Sequence, residues 1–149
     1  MELLTGCGPW GSTCGSVVLP PNFNGNILDA VQEHVDQAIE GLDGISGVDY
    51  WGIPSTLGDH FARHGADFGA VSADDYAQQA ADFLRQSQIR GLPTKVDSDG
   101  VIRIWDPATD AFGAYNSDGT TRTYYKPDPL KHGYASNQDY FLSQRGVQI

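Results

Sequence analysis

The chain reads as an α+β domain, with helices first and an antiparallel meander after them. Three observations predict this. Apolar residues recur at helical spacing from residue 26 to residue 88. After Gly91 the period shortens to that of a strand, and Asp99-Gly100 and Asp118-Gly119 then mark tight turns. With 149 residues, 40% of them hydrophobic, the chain can build one core rather than two. Gly 18 and Pro 8 make it turn-rich, without a collagen-like period and without an internal repeat.

Residues 5–25 are rich in Gly, Pro, Ser and Asn and read as loop or linker. A helix follows from about Asn26 to Leu42. Ile27, Val31, Val35 and Ile39 recur every four residues, Leu28 and Leu42 lie beside them, Asn26 can cap the start, and Gly41 and Gly44 can end it. The opposite face carries Asp29, Glu33, Asp36 and Glu40, either as a solvated face or as a docking surface for a basic partner. Residues 44–58 are again Gly-rich and contain Trp51 and Pro54.

A second helix is expected over Leu57 to Ala66, despite Gly58 and Gly65. A third starts at Ser72, where Ser72-Ala73-Asp74-Asp75 is a capping box with Asp in place of Glu. Tyr76, Ala80, Phe83 and Leu84 mark its buried face, and it ends near Gln88. Val101 to Trp105 forms a strand, residues 107–110 a turn, Ala111 to Tyr115 a strand, and Thr120 to Tyr125 another of β-branched and aromatic residues. Pro127 and Pro129 stop the last one. Ser136 caps a short terminal helix holding Tyr140, Phe141 and Leu142.

The formal net charge is −10, from 9 Lys+Arg against 19 Asp+Glu, which argues against a constitutive nucleic-acid binder. The average hides an asymmetry. Residues 1–58 hold seven acids and no Lys or Arg; residues 59–149 hold all nine bases and twelve acids, 9 − 12 = −3. No apolar run is long enough to span a membrane, and Met1-Glu2-Leu3-Leu4 lacks the cationic start of a signal peptide. The chain therefore reads as cytosolic or as a piece of a larger exported protein. Cys7 and Cys14 are its two cysteines; a local disulfide and two free thiols both fit their spacing, and two ligands are too few for structural zinc.

Two constellations could do chemistry. His60 and His64 stand at i and i+4, so a helix would project both imidazoles from one face. A zinc metalloprotease helix needs Glu directly after the first His, and Phe61 stands there instead. The remaining readings are two structural surface histidines or a catalytic pair, since imidazole accepts and returns a proton near neutrality. The second constellation is Thr120-Thr121-Arg122-Thr123-Tyr124-Tyr125-Lys126-Pro127. Strand alternation predicts Thr120, Arg122, Tyr124 and Lys126 on one face, with Thr121, Thr123 and Tyr125 on the other. Such a row offers cations for phosphate and a ring for stacking a base, with Lys131 and His132 close behind; an ordinary exposed edge is the plainer reading. No phosphate-binding glycine loop, dinucleotide fingerprint or G-x-S-x-G elbow occurs. The carboxylates form no obvious metal cage, and the position of the two cysteines argues against a thiol protease.

Several ordered blocks carry a resemblance. His60-Phe61-Ala62-Arg63-His64-Gly65-Ala66-Asp67-Phe68-Gly69-Ala70, Asp75-Tyr76, Ala80-Ala81-Asp82-Phe83-Leu84, Tyr115 to Pro127, His132-Gly133-Tyr134 and Asn137-Gln138-Asp139-Tyr140-Phe141 together resemble the C-terminal toxin domains of bacterial polymorphic and contact-dependent toxins. Those domains are similar to the barnase/EndoU/colicin D/RelE-like (BECR) ribonucleases. The resemblance spans about residues 57–144 and leaves the first 50 residues uncovered. It implies N-terminal helices packed on a four- to five-stranded antiparallel sheet, with the site in a cleft between them. It divides the chain into residues 1–50, a Gly-rich linker plus acidic helix forming a pre-toxin segment or N-terminal extension, and residues 51–149, the toxin nuclease domain.

The implied activity is metal-independent endoribonuclease, with no cofactor. His60 is expected as general base toward a ribose 2′-OH, and His64 as general acid toward the 5′-oxygen or as the residue that orients His60. Lys126 would stabilise charge on the phosphate. Arg122, Thr121 or Thr123 would hold phosphate oxygens, depending on which strand face looks into the cleft, and Arg63, Tyr124, Lys131 and Tyr140 complete the expected substrate-binding set. In-line attack would leave a 2′,3′-cyclic phosphate. The implied partners are RNA, tRNA foremost, and a cognate immunity protein that blocks the cleft, the chain being a monomer or bound to that protein. The implied setting is secretion or delivery from a producing bacterium and action in the target cell's cytoplasm. Two rivals remain. An ADP-ribosyltransferase toxin could use His60, Tyr124 and Tyr125 in a nicotinamide pocket, but residues 59–149 contain no Glu. A non-enzymatic binding or immunity module would use the acidic helix instead.

Overall fold

The computed structural model describes residues 27–149. In chain order it contains α1 (Ile27–Glu40), α2 (Pro54–His64), α3 (Ala73–Ile89), β1 (Thr94–Val96), β2 (Ile102–Trp105), β3 (Phe112–Tyr115), β4 (Thr121–Tyr125), α4 (Pro129–His132), α5 (Asn137–Leu142) and β5 (Val147–Gln148). Single 3-10 turns at Gly47–Tyr50 and Gly65–Phe68 flank α2. The fold is the expected α+β arrangement of helices on an antiparallel five-stranded sheet. The proposed linker at 5–25, the cap at Asn26 and the cysteine pair lie outside the described residues.

Local signals explain most helix ends. Ser72 Oγ accepts from the Asp75 N–H at 3.0 Å, and the Asp75 carboxylate reaches back to the Val71 N–H at 3.0 Å, the reciprocal bonding of a capping box. Ser136 Oγ likewise accepts from the Asp139 N–H at 3.0 Å and starts α5. α2 begins three residues before the expected Leu57, because Pro54 occupies its first position, where a missing N–H costs nothing. Pro129, read above only as a stop, opens α4 in the same way, with Asp128 Oδ1 accepting from the Leu130 N–H at 2.9 Å.

The sheet order is β4-β3-β2-β1-β5, so β4 is an edge. Ile102, Ile104, Val96, Tyr115 and Tyr124 face α1, α2 and α3 and join Val31, Val35, Leu42, Tyr76, Ala80 and Leu84 in one core. The other face holds a smaller cluster of Trp105, Phe112, Ala114 and Phe141, with Tyr125 and Tyr140 packed against it. Lys95 lies on that second face; its ammonium sits over the Phe141 ring and donates to the carbonyls of Leu142 and Gln144.

β4 departs from strict alternation. Tyr125, Tyr124 and Thr123 pair with Phe112, Gly113 and Ala114, but Thr121, not Arg122, pairs with Tyr115. Arg122 is the extra residue of a bulge, which rotates one part of the strand relative to the rest. As a result Thr121 and Tyr124 share the core face, while Thr123 and Tyr125 face the smaller cluster. The expected row of Arg122, Tyr124 and Lys126 is broken at that point.

α1 closes the core over the turn ends of the sheet. Gly119 has φ +89°, and a Cβ there would stand 2.2 Å from the Ala38 carbonyl oxygen, so both the backbone conformation and the approach of α1 require glycine. His34 Nε2 lies 3.0 Å from the Gly100 carbonyl and ties α1 to the preceding turn.

Candidate active site

The chain is pinned to the edge of β4 immediately before α2. Trp51 forms a parallel bridge with Thr121, and the Gly52 N–H donates to the Thr121 carbonyl at 2.9 Å. A Cβ on Gly52 would meet Asn116 Nδ2 at 2.6 Å and the Thr121 carbonyl oxygen at 3.3 Å, so a larger residue here would displace the Asn116 amide. From this anchor α2 runs beside β4, and helical spacing turns both of its histidines toward the strand. Their ring centroids are 6.1 Å apart. His60 Nδ1 lies 3.5 Å from Thr123 Oγ1, and the His60 ring packs on Trp51 at 5.1 Å. The His64 ring lies 5.4 Å from that of Tyr125.

Two cavities open beside this pair. The larger, about 690 Å³, is lined by His64, Arg63, Tyr125, Lys126, Lys131 and His132, together with Tyr140, Pro127 and the carboxylates of Asp67 and Asp128. The smaller, about 270 Å³, is lined by His60, Gly52, Ile53, Thr56, Asn116, Thr121 and Arg122. The histidines therefore stand between two spaces, each of which one imidazole lines.

The nine cations divide in an informative way. Arg63, Arg85, Arg90, Arg103 and Arg145 each pair with an aspartate, at 2.7 to 3.7 Å. Lys95 is taken by two carbonyls. Among the described residues, Arg122, Lys126 and Lys131 have no ion-pair partner. Two of these three line the larger cavity and one the smaller. A chain of net charge −10 thus presents its uncommitted positive charge around the histidines.

The same surroundings push both imidazoles below their ordinary titration range. For His60 the main cause is burial, then the Arg63 charge, with Asp59 opposing. For His64 burial again leads, followed by Arg63 and by His60 itself; Asp67 opposes and Lys131 adds to the lowering. A neutral imidazole is the form that can take a proton. Because the two rings interact, a proton on one makes the other harder to protonate.

Of the site residues expected from sequence, His60, His64 and Thr123 come together, and Arg63, Lys126, Lys131 and Tyr140 gather around the larger cavity. Arg122 is separate, at the smaller cavity. Thr121 is fully buried and contributes to the lining of that same cavity. Tyr124 is buried in the core, its ring stacked on Phe68 at 4.0 Å, so it offers no free face to a base. The bulge explains both positions.

Three residues enter that the ribonuclease reading of the sequence did not assign. Tyr125 meets Tyr140 hydroxyl to hydroxyl on the cavity wall. His132 stacks on Tyr140 at 4.4 Å; its Nδ1 accepts from the Tyr134 N–H and its Nε2 lies 2.9 Å from Asn137 Oδ1. Asn116 lies across the strand turn, where its Nδ2 donates to Thr120 Oγ1 at 2.9 Å. His132 stands in the basic tail after β4 and was legible as part of it; Tyr125 takes its direction from the bulge, and Asn116 is placed by the turn between β3 and β4.

Among the described residues, no three His, Cys, Asp or Glu side chains gather as a metal cage, and no helix is long and apolar enough to cross a membrane. No family model and no curated protein matches this chain.

Proposed function

We propose that this chain is a metal-independent endoribonuclease and serves as the toxin domain of an interbacterial delivery system, with tRNA as its foremost substrate class. One observation carries the reading. Two imidazoles with lowered proton affinity stand 6.1 Å apart between two cavities, beside the three cations that have no ion-pair partner among the described residues. That arrangement suits the cleavage of a phosphodiester by internal attack, which requires a base, an acid and charge stabilisation.

In this mechanism His60 Nδ1–H donates to Thr123 Oγ1, which leaves the Nε2 lone pair to take the proton from a ribose 2′-OH. The 2′-oxygen attacks phosphorus, and the bond from phosphorus to the 5′-oxygen breaks. Protonated His64 gives its proton to that oxygen. Lys126 and Lys131, across the same cavity, offset the charge that grows on the phosphate oxygens. Tyr140, stacked with His132, offers an aromatic wall for a nucleotide. The products are a 2′,3′-cyclic phosphate and a 5′-hydroxyl. The producing cell would hold an immunity protein over the cleft, and the toxin would act in the cytoplasm of the recipient.

The test is cleavage of total bacterial RNA by the purified chain in EDTA. Cut ends should be 2′,3′-cyclic phosphate and 5′-hydroxyl, and His60→Ala should slow cleavage by about 10²- to 10⁴-fold with an unchanged circular dichroism spectrum. Full activity in His60→Ala removes that residue from the chemistry, and 5′-phosphate ends exclude internal attack.

A further inference from the structure

The smaller cavity has polar groups that the acid–base chemistry leaves unused. Its 270 Å³ falls just short of the roughly 300–1,000 Å³ typical of pockets for drug-sized ligands, a scale suited to one nucleobase. Thr121 also lines it, and its fully buried Oγ1 has no hydrogen-bond partner among the described residues. Arg122, the bulge residue, is freed from the strand ladder. One of its guanidinium nitrogens donates to Asn116 Oδ1 at 3.3 Å, and its other donors make no ion pair among the described residues. Asn116 is itself held by Thr120 and stands against the bare Gly52 backbone, so it gives the exposed guanidinium one anchor at the cavity.

We propose that this cavity reads the base on the 5′ side of the cleaved bond and selects guanine or cytosine over adenine and uracil. The inference rests on the ribonuclease reading above. His60 must reach the 2′-OH of the nucleotide that attacks, so the base on that same ribose falls into the cavity His60 lines. The phosphate and the departing nucleotide fall on the His64 side, with Lys126 and Lys131. The preference follows from donor geometry. A guanidinium offers two N–H groups side by side, which match two neighbouring acceptors. Guanine presents such a pair at O6 and N7, and cytosine at O2 and N3. Adenine and uracil place a donor next to each acceptor on the edges they offer, so one N–H of the fork would meet another N–H.

The experiment maps the cut in total bacterial RNA, then varies the base 5′ of that cut among the four in a transcript of the same RNA and measures kcat/KM with the full chain. Guanine and cytosine should exceed adenine and uracil by about 10- to 100-fold. Arg122→Ala should lower the two good substrates to the level of the poor ones, and Arg122→Lys should retain part of the difference. Equal rates for all four bases, a preference that follows the 3′ nucleotide instead, or a preference unchanged in Arg122→Ala each overturn the subsite while the ribonuclease reading stands. No cleavage of any RNA overturns both.

Discussion

The two faces of the sheet are unlike. Against one, α1, α2 and α3 lay an apolar core in which Val31, Val35, Leu42, Leu84, Ile102 and Ile104 are fully buried. Against the other, α5 lays only Phe141 and Tyr140 on Trp105, Phe112 and Ala114, and several of the groups there have polar ends: Lys95, Tyr125 and Tyr140. Stability comes mainly from the first face, where each buried aliphatic side chain contributes about 1.5–3 kcal/mol. The thinner face holds hydroxyls, and the edge strand β4 with α2 beside it holds the imidazoles and uncommitted cations. A site built from such groups opposes compact packing, and it persists because the opposite face supplies the stability.

That contrast can be broken most directly in the core. Leu84→Ala should lower the unfolding free energy by about 2–5 kcal/mol in urea titrations, while the folded fraction keeps its RNA-cleaving rate. A loss well below that range would show that the apolar face is not the main source of stability.

The polar edge should answer to pH. kcat/KM requires His60 neutral and His64 protonated, and both titrate below the ordinary 6.5 of histidine. The profile should therefore be a bell with its maximum on the acid side of pH 6.5. Above the maximum activity falls as His64 loses its proton, and below it as His60 gains one, by about tenfold per unit on each limb. An optimum above pH 7 would separate the two histidines from the acid and base roles.

Salt gives a smaller effect. Lys126 and Lys131, the two uncommitted cations of the larger cavity, facing single-stranded RNA predict a slope near −1.4 for log kcat/KM against log salt, about −0.7 for each phosphate contacted. A doubling of salt then costs about 2.6-fold. A much steeper slope would mean that the paired arginines also bind phosphate.

The smallest effect should come from the hydroxyl pair on the cavity wall. Tyr125→Phe removes one partner of Tyr140 and should cost about 0.5–1.5 kcal/mol of stability. A cost as large as that of Leu84→Ala would erase the distinction between the faces.

Much of the fold was legible because its signals are local. Ser72 with Asp75, and Ser136 with Asp139, bond across three residues, so their caps could be read without any partner. The meander was legible from its turns, since Asp99-Gly100 and Asp118-Gly119 place a glycine at positive φ in each. β1 and β5 were not assigned. With three and two residues they have no period of their own and exist only as partners of each other and of β2. The i, i+4 spacing of His60 and His64 identified the pair, but the ribonuclease reading took Tyr124 and not Tyr125, because the bulge at Arg122 changes which one looks outward.

By itself the sequence determined the order of helices and strands, the shared face of the two histidines and the absence of Lys and Arg before residue 59. These depend on residue type and on contacts within one turn of chain. Tertiary structure alone decided which cations remain without an aspartate, which tyrosine lines the cavity and that the histidines separate two spaces. Each of those outcomes depends on groups far apart in the chain. Asp106 takes Arg90, Asp97 takes Arg103, and Trp51 with Gly52 pins α2 to β4 through Thr121. Pairing register and charge neutralisation are settled only when those distant segments meet.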